Sequence, residues 1–363
     1  MTHAKIRWGI LSTGKIAHAF AQGLRILPDA ELVAVGSRSV ATAEEFGRQY
    51  QIPHRHATYE ALAQDPDVDV IYIGTPHPFH KDNTLLCLEH GKAVLCEKPF
   101  AINAAEAQAM VDAARARGLF LMEAMWMRYL PAIAKVRALL AEGALGEVQL
   151  LTADFGFRAE FDPESRLFNP ALGGGTLLDL GIYPLSLTVM VLGLPERVTG
   201  MAHLGATGVD EQMAVVLGYP SGQHALLSAS FRASLPTEAL IVGTRGRLKI
   251  HNPVFRPQQL TLYPEGPWPP PSSRVPSRLK RWGRRLGLDR LWQRLQRLPG
   301  KAMSFPLEGN GYNYEAAEVM RCLRAGALES PIMPLDETLA IMRLMDDIRA
   351  QWGLRYPMEE TSR

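Results

Sequence analysis

The first 120 residues alternate between short apolar runs and longer helical patterns, and few folds accept that alternation. Apolar runs at Ile6–Leu11, Leu32–Val35, Val70–Ile73 and Ala93–Cys96 are separated by helical patterns at Lys15–Leu27, Ala41–Tyr50, Phe79–His90 and Ala104–Arg117. A strand that reaches the next strand through a helix of this length makes a right-handed crossover, so the sheet is parallel. The last helix is punctuated at both ends. Asn103 is its N-cap, Glu106 completes a capping-box spacing and Gly118 supplies the stop. Leu119–Ala124 then reads as a further strand.

After residue 145 the pattern changes. Glu147–Phe157, Arg197–Leu204, Gln212–Tyr219, Gln223–Arg232, Thr237–Val242, Arg247–His251 and Gln259–Tyr263 are strand-like, joined by turns such as Pro220-Ser221-Gly222. Consecutive strands with tight connections predict an antiparallel sheet. Helical patterns interrupt it at Thr176–Leu192, Asn313–Ala325 and Leu335–Gln351. The expected architecture is α/β: a doubly wound domain over residues 1–124, then an α+β domain over 125–363 built on one large open sheet.

Composition excludes several classes. The three cysteines, Cys87, Cys96 and Cys322, have no CxxC spacing and give neither a disulfide framework nor a zinc site. The N-terminus leads directly into a strand pattern with no signal peptide, and no apolar stretch reads as long enough to span a bilayer. A cytoplasmic protein is expected. The formal net charge of +2 hides an asymmetry, because residues 274–301 carry a local +9, which leaves −7 for the rest. An acidic body with one basic segment argues against a nucleic-acid partner.

Trp8–Ala17 reads as a strand, a tight turn and a helix start. The dinucleotide fingerprint G-x-G-x-x-G/A maps to Ser12, Gly14 and Ala17, with serine in place of the first glycine. Gly14 lets the backbone approach a pyrophosphate, and the helix start offers unpaired N–H groups to the anion. Ser12, Thr13, Gly14, Lys15 and Ile16 are therefore cofactor candidates. About 20 residues on, where an NAD site carries a carboxylate, the chain reads Val35-Gly36-Ser37-Arg38-Ser39. An arginine flanked by hydroxyls suits a 2′-phosphate, so NADP is expected, with Ser37 and Arg38 as contacts. Thr75, Pro76, His77 and His80 follow the Val70–Ile73 strand at the edge where cofactors bind. The two histidines either line the pocket or cap a helix; without further ligand spacing no metal is expected.

Cys96-Glu97-Lys98-Pro99-Phe100 places a cation just after a parallel strand, and Pro99 suits a cis peptide that fixes its direction. About eighty residues later comes Gly173-Gly174-Gly175-Thr176-Leu177-Leu178-Asp179-Leu180-Gly181-Ile182-Tyr183. Together they supply a lysine, an aspartate and a tyrosine to handle a proton beside a dinucleotide. With Met122–Arg128 and Pro306–Tyr312, these segments resemble the glucose–fructose oxidoreductase/inositol dehydrogenase/rhizopine-catabolism (Gfo/Idh/MocA) family over nearly the whole chain. Within it the chain looks most like the dihydrodiol dehydrogenase and NADP-dependent D-xylose dehydrogenase branch.

The resemblance implies a Rossmann domain, with the nicotinamide between Lys98 and the Asp179–Tyr183 helix. Asp179 and Tyr183 are four apart and share one helical face. Tyrosine ordinarily titrates near 10, and a lysine cation lowers that value. Tyr183 is therefore assigned as general acid/base tuned by Lys98, and Asp179 as the residue that orients substrate or lysine. Glu97, Trp126 and Arg128 are also counted as cofactor-facing, with Arg128 either a polar anchor or the partner of a structural carboxylate. Phe157, Phe168 and Asn169 are candidate substrate contacts. The implied reaction is hydride transfer on a small-molecule sugar or trans-dihydrodiol. The alternatives are an NAD-retaining, glycosidase-like relative and a non-catalytic NADP-binding regulator. A homodimer or homotetramer would cover the open sheet.

Residues 264–305 depart from the family. Pro264–Pro271 is extended in character, and Ser277–Leu298 sets leucines and tryptophans among arginines. The segment packs on protein or, as the less favoured reading, touches an anionic membrane through residues 274–301.

Overall fold

The computed structural model describes residues 5–264 and 300–360. The first sheet has six parallel strands: β1 (Ile6–Leu11), β2 (Ala30–Gly36), β3 (His54–His56), β4 (Val70–Ile73), β5 (Ala93–Glu97) and β6 (Leu121–Ala124). Their order is β3-β2-β1-β4-β5-β6. Connections run through α1 (Lys15–Leu24), α2 (Val40–Tyr50), α3 (Tyr59–Ala63), α4 (His80–Glu89) and α5 (Ala104–Arg117). The order reverses between β1 and β4, which opens a crevice at the carboxyl ends of these strands. Strands β4 and β5 are buried throughout, as continuous apolar runs between two helical layers must be.

Helix α5 starts where its sequence says. Asn103 Oδ1 accepts from the Glu106 amide at 2.8 Å, and Gly118 closes the helix at φ 60°. The Glu106 carboxylate reaches the Ile102 amide at 3.4 Å, one residue before the capping-box position.

Helix α6 (Pro131–Ala141) crosses to a second, eight-stranded sheet of order β14-β13-β12-β11-β7-β10-β9-β8. Its strands are β7 (Val148–Gly156), β8 (Arg197–Leu204), β9 (Asp210–Gly218), β10 (His224–Ser230), β11 (Ala239–Gly243), β12 (Gly246–Ile250), β13 (Gln259–Pro264) and β14 (Lys301–Ser304). Only the β7–β10 pairing is parallel among these, so the sheet is mainly antiparallel. Strand β14 falls within the stretch set apart by sequence. Residues 265–299, which hold most of the proline run and the amphipathic segment, lie outside the described residues.

Helices α7 (Ile182–Leu192), α8 (Tyr312–Arg324), α9 (Leu335–Ala350) and α10 (Pro357–Glu360) complete the chain. Contrary to expectation, one segment, Pro170–Leu192, is long and apolar enough to cross a bilayer. It is 83% buried inside the fold, so its apolar length fills a core. Helix α8 returns to the first sheet, where Ala316, Val319, Met320 and Cys322 share a core with Trp8, Phe20 and Tyr72. All three cysteines are buried and free.

Candidate active site

A cleft of about 560 Å³ opens at the crevice of the first sheet and is lined by Ser12, Gly14, Lys15, Ile16, Gly74, Thr75, Pro76, His77, Glu97, Lys98, Arg166 and Asp179. Gly14 caps α1 without any side-chain hydrogen bond to the helix start, and a Cβ built on it would meet only Ser12 Oγ at 3.6 Å. That end of α1 is an open cradle of N–H groups, which suits a pyrophosphate. Ser12 holds φ 119°, a glycine-like conformation, and its Oγ accepts from the Gly14 amide at 3.2 Å. Thr13 sits in the same turn, half-buried but outside the lining.

The end of β2 lies beside this turn, because the Ser12 amide donates to Gly36 O at 3.0 Å. Ser37 Oγ is paired with Thr42 Oγ1 at 2.6 Å, and the exposed Arg38 guanidinium sits 5.9 Å from the Phe79 ring centre. Across the cleft, Thr75 Oγ1 accepts from Asn83 Nδ2 at 3.1 Å. His77 lines the cleft with Nδ1 3.2 Å from Gly173 O, and burial pushes its pKa down to about 3, so it is neutral at ordinary pH. His80 is outside the cleft lining. Fully buried, it sits with Nδ1 2.9 Å from Pro99 O and Nε2 2.8 Å from Thr75 O; burial lowers its pKa, and the neutral ring donates its single N–H to one of these two carbonyls.

At the far end of the cleft the two segments converge. The Lys98–Pro99 peptide is cis. Lys98 Nζ donates to Asp179 O at 2.9 Å and Asp179 Oδ1 at 3.1 Å, and lies 4.8 Å from the Tyr183 ring centre. Asp179 belongs to a single π turn, Leu177–Gly181, and Tyr183 to the first turn of α7. The continuous α-helix expected from Thr176 is therefore broken by one wide turn, a form common at functional sites. Burial raises the Asp179 carboxyl, but Lys98 and Arg166 outweigh it and hold the group well below the usual carboxylate range. Arg166, which sequence reasoning passed over, pairs its Nη1 with Asp179 Oδ1 at 3.0 Å. No local pattern announces it; it sits in an irregular loop 13 residues before its partner.

Tyr183 departs from expectation. Burial raises its pKa above the ordinary value, and Lys98 together with the Trp126 indole N–H only partly offsets this. Trp126 Nε1 donates to Tyr183 Oη at 2.9 Å. Trp126 stacks on Tyr312 (ring centres 4.6 Å apart, 3° between planes), and Phe155 and Phe255 complete an aromatic wall around Tyr183. Phe255 reaches the site from a distant segment and carries no local signal, whereas Tyr312 closes the Pro306–Tyr312 segment that the resemblance marks, though without a role. Glu97 accepts from Tyr72 Oη at 2.6 Å and from the Lys98 amide at 3.1 Å; burial lifts its pKa to about 6.

Three further candidates are structural. Arg128 is 1% exposed, donates to Ser186 Oγ at 2.9 Å and pairs with Glu337, so it is the carboxylate partner and not a cofactor anchor. Phe168 is packed between Phe161 and Phe231. Asn169 caps a short turn, its Oδ1 accepting from the Ala171 amide at 2.9 Å. Phe157 stays exposed on the edge of this aromatic group.

Residues 6–125 match the model described as oxidoreductase family, NAD-binding Rossmann fold, and residues 133–249 match the GFO/IDH/MocA C-terminal domain. The chain belongs to the GFO/IDH/MocA family and is an oxidoreductase. It is 39% identical over 362 residues to trans-1,2-dihydrobenzene-1,2-diol dehydrogenase of Bos taurus, covering 98% of this chain and 99% of that one. The Homo sapiens protein of the same name is also 39% identical over 362 residues, with the same coverage. Among solved structures, KijD10, a 3-ketoreductase from Actinomadura kijaniata in complex with NADP and TDP-benzene, superposes with a TM-score of 0.77 at 24% identity, covering 95% of this chain and 97% of that one. The aldose-aldose oxidoreductase from Caulobacter crescentus complexed with glycerol gives 0.80 at 24% identity, covering 96% and 98%. At that identity the two structures show the shared fold.

Glu123, on β6 behind the site, is 1% exposed and accepts from Thr338 Oγ1 at 3.0 Å. Burial pushes its pKa up to about 7. The native state then binds this proton more tightly than the unfolded chain does, so this group's contribution to stability is full below about pH 4 and falls as pH climbs through 7. Between about pH 5 and pH 8, Glu123→Gln should lose about 2 kcal/mol less than the wild type. Urea midpoints at the two pH values test this; parallel losses would refute it.

Proposed function

We propose that the protein is an NADP(H)-dependent dehydrogenase/reductase that moves a hydride between nicotinamide and a hydroxyl or carbonyl carbon of a sugar or trans-dihydrodiol. The observation that carries this reading is the convergence of Lys98, Asp179 and Tyr183 at the end of the cofactor cleft. When bound, the dinucleotide supplies or accepts the hydride. The chain's own residues do the rest. The α1 N-terminus and Ser12–Ile16 hold the pyrophosphate, and Arg38 with the Ser37 hydroxyl meets the 2′-phosphate. Tyr183 Oη holds the proton that leaves or joins the substrate oxygen. Burial works against the Lys98 charge, but Tyr183 and Asp179 outweigh it and keep the ammonium protonated, and its field makes the buried phenol easier to ionise. The aromatic wall excludes water from that oxygen.

Two arms test the reading. NADPH formation at alkaline pH is measured with D-xylose, D-glucose and a trans-dihydrodiol, and turnover of any one supports it. Absence of turnover alongside a tightly retained cofactor would defeat it. Arg38→Ala should weaken NADP(H) binding roughly 10–100-fold and leave NAD(H) unchanged, the effect of losing one charge-assisted contact. Equal losses for both cofactors in fluorescence titrations would remove the 2′-phosphate assignment.

The outer face of the second sheet carries Met201, Val216 and Leu226, which are 80%, 44% and 45% exposed. A second copy of the chain covering this face is part of the proposal, and sedimentation as a monomer would remove it.

A further inference from the structure

We propose that His54, His56 and Asp65 form a binding site for one divalent transition-metal ion of the zinc class, outside the catalytic cleft. His54 and His56 are separated by one residue on β3, so their side chains leave the same face of the strand. Asp65 follows α3 and reaches back to them. Its Oδ2 lies 2.7 Å from His54 Nδ1 and 2.8 Å from His56 Nε2. The three ligand atoms all fall within 4.8 Å of one another, the compass of a single ion.

Two imidazoles and one carboxylate are the donor set of open zinc sites, with a fourth position left for water. Access suits that: the two imidazoles are 36% and 24% exposed, while the carboxylate is nearly buried. The surroundings already orient the ligands. Asp65 Oδ1 accepts from the Asp67 amide at 2.9 Å, which turns Oδ2 toward the histidines. The remaining ring nitrogen of His54, Nε2, lies 3.9 Å from Asp67 Oδ2, and Asp67 is itself held by Arg7 at 2.9 Å. At 3.9 Å this is charge proximity and not a hydrogen bond, so Asp67 supplies negative charge behind the His54 imidazole and no orienting bond.

Cations are also near. Lys92 Nζ donates to Asp65 O and Val68 O at 2.5 and 2.9 Å, and Arg7 pairs with Asp67 and Asp69. Three carboxylates, Asp65, Asp67 and Asp69, face these two cations, so the locality remains favourable to a divalent ion. The site also touches the cofactor half of the molecule. His56 O accepts from the Ser37 amide at 3.1 Å, so an ion here braces the strand behind the Ser37–Arg38 loop.

The test titrates metal-free full-length protein with Co²⁺ and follows its visible absorption, then displaces it with Zn²⁺. One Co²⁺ per chain with the strong bands of a four- or five-coordinate site is expected, because two imidazoles and a carboxylate leave few water ligands. The double variant His54→Gln/His56→Gln should lose the spectrum. Asp65→Asn should weaken binding by more than the roughly 10–100-fold that an outer-shell loss costs. Because the histidines are partly exposed, the double variant should keep the wild-type circular dichroism without metal, and melt somewhat lower because near-buried Asp65 loses both imidazole contacts. A wild type that takes up neither ion, even in large excess, overturns the site. So does a double variant that is folded and binds Co²⁺ as before.

Discussion

Tyr183→Phe should lower kcat by roughly 10²–10⁴-fold, the usual worth of a positioned proton donor, while NADP(H) affinity stays at the wild-type value. The Lys98 cation lies 4.8 Å from the Tyr183 ring, and the α1 turn that would hold the pyrophosphate is a separate part of the site. The substitution also removes the acceptor of the Trp126 indole N–H, which should cost about 1 kcal/mol of stability. Trp126→Phe separates the two effects, because it deletes the same hydrogen bond and leaves the hydroxyl in place. A Trp126→Phe enzyme as inactive as Tyr183→Phe would mean the loss is structural. The pH profile provides a second reading. Burial raises the Tyr183 pKa, so the rate of alcohol oxidation should keep rising into the alkaline range as the phenol ionises. Lys98 pulls that pKa down, so Lys98→Met should move the rising limb to still higher pH. An unmoved limb would detach Lys98 from the proton.

Gly175→Ala should destabilise the protein by about 3 kcal/mol or more, through strain and overpacking together. Gly175 has φ 116°, and a Cβ there would overlap Asp210 Oδ1. Asp210 cannot yield. It is fully buried, and its Oδ2 accepts from Thr176 Oγ1 and the Leu177 amide, both at 2.7 Å. This carboxylate fixes the start of the turn that presents Asp179, so activity should fall along with stability. Gly91→Ala is the matched control: φ is 74° but open space surrounds it, so only the backbone cost of about 1–2 kcal/mol applies. Urea denaturation midpoints compare the two. Equal losses would show that the Asp210 contact adds nothing beyond the backbone conformation.

What could be read from the sequence follows from how locally each feature is encoded. The alternation that makes the parallel sheet is carried within each strand and helix, and so are Asn103 and Gly118 at the ends of α5. The meeting of Lys98 with Asp179 and Tyr183 was legible because both segments hold unusual residues in a fixed order. Strand β3 escaped because three residues carry no periodicity, and α6 because its Pro131 start resembles a turn. Burial decided the rest. His80 and Arg128 are polar residues beside good motifs, yet their hydrogen bonds go to backbone carbonyls, to Ser186 and to Glu337 from other parts of the chain. The same holds for Tyr183, whose desolvation outweighs its lysine, a balance of surroundings and not of spacing.

Helix α8 sets a schedule for making the protein. Trp8 and Tyr72 on the first sheet and Phe20 on α1 share a core with Ala316, Val319, Met320 and Cys322, which come from far along the chain. Domains generally fold in order as they leave the ribosome. Here the amino-terminal half emerges with an apolar flank that its own α1 and α2 cover only in part. Completion of that core must wait until α8 has been translated. During that interval the exposed flank is a natural client surface for chaperones, and a fragment ending before α8 would carry the cofactor cradle on an incomplete core.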